Sequence, residues 1–79
     1  MKRFEIEGGR AGRIRYTGDG RTAELGWEML LGDHDMVIYV SSCFWTSPEA
    51  RPMSEDEARA LVRAFEVESS LRVDLVRER

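Results

Sequence analysis

Residues 3–7 alternate strictly, with Phe4 and Ile6 on one face and Arg3, Glu5 and Glu7 on the other. A period of two predicts a half-buried strand. Gly8, Gly9 and Gly12 mark a loop. Residues 13–17 alternate again with Ile14 and Tyr16 inward, and residues 21–29 place Ala23, Leu25, Trp27 and Met29 on the inward side. Between them Gly18-Asp19-Gly20 supplies the positive-φ residues of a tight hairpin turn. Parity fixes the register, because a one-residue slip sends every side chain to the wrong face. A two-residue Asp19-Gly20 loop opposes Thr17 to Thr22, Tyr16 to Ala23, Arg15 to Glu24 and Ile14 to Leu25, so every pair agrees in polarity. A three-residue loop would oppose Ile14 to Glu24 and is rejected. Setting Ile6 opposite Ile14 places Glu5 against Arg15 and Glu7 against Arg13, giving an outer face of alternating charge.

After the polar turn Asp33-His34-Asp35, residues 36–44 are the most hydrophobic segment. We read a strand over 36–43 whose first half is apolar on both faces, Met36, Ile38 and Val40 on one and Val37 and Tyr39 on the other. That pattern implies burial on both sides. Residues 45–52 carry Pro48 and Pro52 and read as a loop. Ser54-Glu55-Asp56-Glu57 is a capping-box start with three carboxylates at the positive end of the helix dipole. It predicts a helix over 54–68 whose apolar stripe is Ala58, Leu61, Val62 and Phe65. Leu71, Val73 and Leu75 alternate with Arg72 and Asp74, which predicts a last strand near 70–77; a helix continuing through Val67, Leu71 and Leu75 is the alternative. The elements add to one α+β domain over residues 1–79. It is a small antiparallel sheet, about four N-terminal strands plus a C-terminal strand, packed by one amphipathic helix in the order β-β-β-β-α-β.

Composition narrows the picture. At 79 residues the chain holds one domain, and its seven aromatics are too many for a disordered one. A chain this short buries only about 60% of its unfolded surface, and a single cysteine, Cys43, provides no disulfide to compensate. No apolar run approaches the roughly 18 residues of a membrane helix. The charged N-terminus and the lack of paired cysteines point to the cytoplasm.

The candidate chemistry is sparse. His34 and Cys43 are single copies, and a strand between them separates the pair by roughly 20 Å, so a nucleophilic dyad is not expected. Asp33-His34-Asp35 lacks a second histidine to complete a typical metal site. Gly8-Gly9-x-x-Gly12 fails the dinucleotide fingerprint in spacing. We therefore expect no catalytic residue, no metal and no cofactor. Residues 1–21 carry six basic and three acidic side chains, so a basic hairpin over 10–21, with Arg10, Arg13, Arg15 and Arg21, is the basis of an alternative reading as a single-stranded nucleic-acid binder. Cross-strand Glu5, Glu7 and Glu24 would neutralise much of its field.

Charge segregation is the more informative feature. Residues 22–50 contain no Lys or Arg and five acids, Glu24, Glu28, Asp33, Asp35 and Glu49, beside Trp27, Tyr39, Phe44 and Trp45. Aromatic anchors with acids steering encounter suit a basic protein partner. The expected partner-binding set is Trp45, Tyr39, Asp33, Asp35, Glu28 and Glu49. One helix can cover only one face of a small sheet, so the second apolar face of strand 36–40 calls for loop 45–53 or another molecule, and a homodimer is a further alternative.

The hairpin from Tyr16 to Leu25, the strand Val37-Ile38-Tyr39-Val40, the segment Trp45-Thr46-Ser47-Pro48 and the capped helix from Ser54 together resemble small α+β immunity proteins of bacterial polymorphic toxin systems. The similarity spans roughly residues 12–75. It implies a non-enzymatic role, binding and neutralising a secreted toxin, often a nuclease, with Trp45 and Pro48 as the first positions to align.

Overall fold

In a computed structural model of the chain, which describes residues 2–77, the N-terminal half is the meander that side-chain parity predicts. Strands β1 (Arg3–Gly8), β2 (Ala11–Gly18) and β3 (Arg21–Met29) are antiparallel neighbours. Thr17 opposes Thr22, Ile14 opposes Leu25, Ile6 opposes Ile14 and Glu5 opposes Arg15, all in the expected register. Asp19 and Gly20 adopt φ of 54° and 74°, the signature of the turn whose twist matches a hairpin. The ion pairs on the outer face run diagonally: Arg13 reaches Glu24 at 3.1 Å and Arg15 reaches Glu7 at 3.7 Å. β2 begins earlier than expected and brings Gly12 into the ladder opposite Gly8. A side chain on Gly12 would collide with the Glu7 carbonyl, which accepts the Trp27 indole N–H at 3.1 Å.

The segment expected as one strand over 36–43 is broken. β4 (Met36–Tyr39) ends in a turn of 3-10 helix at Val40–Ser42, and β5 (Phe44–Ser47) follows. Both pair with the same edge of β3, β4 through Trp27–Ile38 and Met29–Met36, β5 through Glu24–Phe44 and Ala23–Trp45. The three residues of the turn are an odd insertion, so inward parity flips from Met36 and Ile38 to Cys43 and Trp45. The stretch expected as a loop therefore carries β5 and the short β6 (Arg51–Pro52), antiparallel to it.

Helix α1 (Glu55–Ser69) forms as its capping box predicts: Ser54 Oγ accepts the Glu57 N–H at 3.2 Å, and Glu57 Oε1 accepts the Ser54 N–H at 2.9 Å. Ala58, Leu61, Val62 and Phe65 are buried on the sheet, and Phe65 meets Phe4 at a ring separation of 5.4 Å. The helix stops at Ser69. Ser70 turns left-handed, with φ of 64°, and its N–H caps the Glu66 carbonyl at 2.8 Å. Val67, which a longer helix would have used, is 84% exposed. The final strand, β7 (Val73–Val76), is shorter than the 70–77 expected and pairs parallel to β4. Parallel neighbours need a crossover, and α1 lies within the one that joins them. The sheet order is β1-β2-β3-β4-β7, with β5 and β6 continuing from β3. A mostly antiparallel sheet under one helix is the predicted α+β class.

The expected bare apolar face on β4 is not present. Val37 is 4% exposed, set in register between Glu28 and Asp74, and Tyr39 is partly buried and donates to Glu28 at 3.1 Å. Segment 45–53 packs on the helix side instead, with Trp45 and Met53 in the core. No helix among the described residues is long and apolar enough to cross a membrane.

Candidate partner-binding surface

The break between β4 and β5 shapes the open face of the sheet, the face opposite α1. At the break the edge of β3 that β4 and β5 share has no strand beside Gly26, and the Ser42 side chain takes that place. Its Oγ accepts the Gly26 N–H at 3.0 Å, donates to the Tyr39 carbonyl at 2.6 Å and lies 3.2 Å from the Gly26 carbonyl. A side chain at Gly26 would press on the Ser42 Cβ and Oγ at 3.0 Å, so glycine keeps the plug seated. The missing side chain leaves a shallow groove, two contiguous clefts of ≈ 230 and ≈ 320 Å³ that share Gly12, Gly26 and Ser42. Tyr39 and Glu28 line one end; Phe44, Glu24 and Arg13 line the other. Phe44 is 44% exposed.

Strand parity sorts the charges on this face. Arg3, Arg13 and Arg15 share it with Glu5, Glu7, Glu24, Glu28 and Asp74, three cations against five carboxylates among the described residues. All three arginines are tied to glutamates, Arg3 to Glu5 at 3.2 Å, Arg13 to Glu24 at 3.1 Å and Arg15 to Glu7 at 3.7 Å. The face is acidic in sum and its cations are engaged.

Of the six residues expected to bind a partner, only Tyr39 and Glu28 meet here. Trp45 is core: it is 6% exposed and sits opposite Ala23 on the helix side. Asp35 serves the backbone, its carboxylate accepting the Arg72 N–H at 2.8 Å where the chain enters β7. Asp33 lies in the exposed turn before β4, and Glu49 pairs with Arg51 at 3.7 Å beyond β5. Phe44 and Glu24 were the residues missed. The signal was the parity change from Ile38 to Trp45, which puts Phe44 on the outer face. The arginines of the alternative nucleic-acid reading do not share a surface either. Arg13 and Arg15 lie on the open face, Arg10 lies beside Met29 and Leu31, and Arg21 lies against Trp45.

A second cleft, ≈ 210 Å³, opens at the far end of the hairpin between Tyr16, Arg21, Trp45 and Glu57. The Arg21 guanidinium stacks on the Trp45 indole 3.4 Å from its centroid, a cation–π arrangement. Arg51 holds Glu57 through two bonds of 3.1 and 2.9 Å, and Arg21 adds a longer pairing at 3.7 Å. The Glu57 carboxyl is held well below the usual glutamate range, first by the Arg51 bonds and next by the Ser54 N–H. The Trp45 Nε1–H also favours the charged Glu57, and among the described residues it is buried with no direct hydrogen-bond partner. Burial and the Asp19 carboxylate push the Tyr16 phenol up. Cys43 is sealed in the core, where burial raises its thiol to about 11 and its Sγ lies 3.4 Å from the Tyr39 carbonyl.

A depressed carboxyl makes stability pH-dependent with a definite sign. The contribution of Glu57 is complete above the ordinary glutamate value of 4.5 and is lost as pH falls below it. The melting temperature should therefore fall progressively as pH is lowered from about 5, and Glu57→Gln should flatten that part of the profile. Equal slopes in the two proteins would contradict the assignment.

No protein family, curated protein or solved structure matches this chain.

Proposed function

We propose that the domain is a non-enzymatic protein-binding module that acts by occlusion, and that the open sheet face is its contact surface. The observation that carries this reading is the half-exposed Phe44 at one end and Tyr39 at the other of a glycine-floored groove rimmed by Glu24 and Glu28. An aromatic anchor beside a groove is the usual centre of a binding hot spot, and surrounding carboxylates favour encounter with a basic surface. A basic toxin domain is the partner class that fits, which makes the role that of an immunity protein.

The test begins with the reading frames beside the gene, where this reading expects a toxin domain, and measures protection and affinity against it. Cells making the protein should survive expression of that toxin. Phe44→Ala should weaken the complex about tenfold or more while leaving the melting temperature near that of the wild type, because Phe44 stands outside the core. Glu28→Gln should slow association and reduce its salt dependence. Full affinity in Phe44→Ala would remove the groove from the interface.

A further inference from the structure

We infer that the free edge of β1 is a homodimer interface, where β1 pairs antiparallel with β1 of a second copy and joins two sheets into one. β1 is the terminal strand of the sheet order, and among the described residues nothing pairs with its outer edge. The hairpin shows which backbone groups point outward. In a two-residue loop the closing pair, here Gly18 and Arg21, is hydrogen-bonded, and bonded pairs alternate along an antiparallel ladder. Tyr16 and Ile14 therefore bond β3, while Thr17, Arg15 and Arg13 bond β1. Their partners Arg3, Glu5 and Glu7 turn their N–H and C=O groups toward β2, and Phe4 and Ile6 turn theirs outward. The Ser42 bond to the Gly26 N–H agrees with the same alternation on β3.

A two-fold pairing has to set outward groups against outward groups. Centring it on Glu5 does so: Phe4 bonds Ile6 of the second copy on the inner face, and Arg3 opposes Glu7 of the second copy on the outer face, each twice. Ile6, 46% exposed in the single chain, gains an aromatic neighbour. Centring on Phe4 would place Lys2 against Ile6, and centring on Ile6 would place Glu5 against Glu7. The Glu5-centred register alone sets both apolar residues of the strand, Phe4 and Ile6, against apolar partners, and it opposes Arg3 to Glu7 as well. Its one unfavourable contact is Glu5 against its own copy. The strand is only six residues long, and the short ladder it can form suits a weak and reversible dimer. This edge lies across β2 and β3 from Phe44, so the partner-binding reading and this one can fail separately.

Sedimentation equilibrium on the full chain up to about 1 mM tests the assignment. The wild type should show a reversible monomer–dimer equilibrium. Arg3→Glu should weaken it about tenfold, and Arg3→Glu/Glu7→Arg should restore it, because the opposed pair is reconstituted. Glu5→Gln should tighten the dimer by removing the central repulsion. Ile6→Pro should abolish it with the circular dichroism spectrum unchanged, since proline is tolerated where an edge N–H has no partner. A wild type that stays monomeric throughout would overturn the inference. So would a dimer indifferent to Arg3→Glu, or one that the double exchange does not restore.

Discussion

Trp45→Ala is expected to destabilise the fold by about 3–5 kcal/mol, the range for removing a buried aromatic. The indole is 6% exposed, packs edge-on to Tyr16 at 6.4 Å and carries the Arg21 guanidinium on its face. A domain of this size has a total stability of roughly 4–12 kcal/mol, so the loss is a large share of the whole. It should lower the melting temperature by roughly 15 °C or more. Trp45→Phe should cost much less, because a ring remains and the buried N–H without a direct partner disappears with its desolvation penalty. Thermal unfolding followed by circular dichroism measures both. An alanine variant that melts within about 5 °C of the wild type would show that Trp45 does not hold the β3–β5 side of the core. The sequence places Trp45 beside acidic residues and suggests an exposed anchor; its burial makes it a stability residue instead.

Ser42→Ala is expected to cost about 2–3 kcal/mol, more than an average hydrogen bond. The hydroxyl has one proton and two lone pairs. It spends the proton on the Tyr39 carbonyl at 2.6 Å and accepts the Gly26 N–H at 3.0 Å. Alanine would leave that N–H facing a methyl group where no strand can replace the bond, and an unsatisfied donor costs more than a bond gains. Amide exchange gives the local readout: Gly26 should lose protection while Ile14 and Leu25, inside an intact hairpin, keep theirs. Unchanged protection at Gly26 would mean that the plug is not what closes the gap. Because the same residues floor the groove, Ser42→Ala should also loosen the geometry between Tyr39 and Phe44.

The hairpin was legible because its information is local. Two-residue periodicity, an Asp19-Gly20 turn and pairwise agreement in polarity leave one register, and the first strand follows by extension. The helix was legible for the same reason: Ser54 and Glu57 stand three residues apart, and the Ala58, Leu61, Val62 and Phe65 stripe has one period. The groove of the proposed contact surface was half legible. The sequence points to Tyr39 and Glu28 but not to Phe44 and Glu24, since nothing in the composition distinguishes Phe44 from Trp45. One points out and the other in because three residues are inserted before them.

By itself the sequence determined the fold class, the β1–β2–β3 register and the limits of α1 to within a residue or so, because each depends on neighbours a few positions apart. The tertiary structure decided where the chain after Tyr39 goes. Residues 40–42 form a turn rather than strand because β5 returns to the β3 edge already occupied by β4, and Ser42 can bridge the interval only beside a glycine. It also decided that β7 lies parallel to β4, a pairing across more than thirty residues that no local period encodes. Those two non-local choices set Trp45 in the core and Phe44 on the open face.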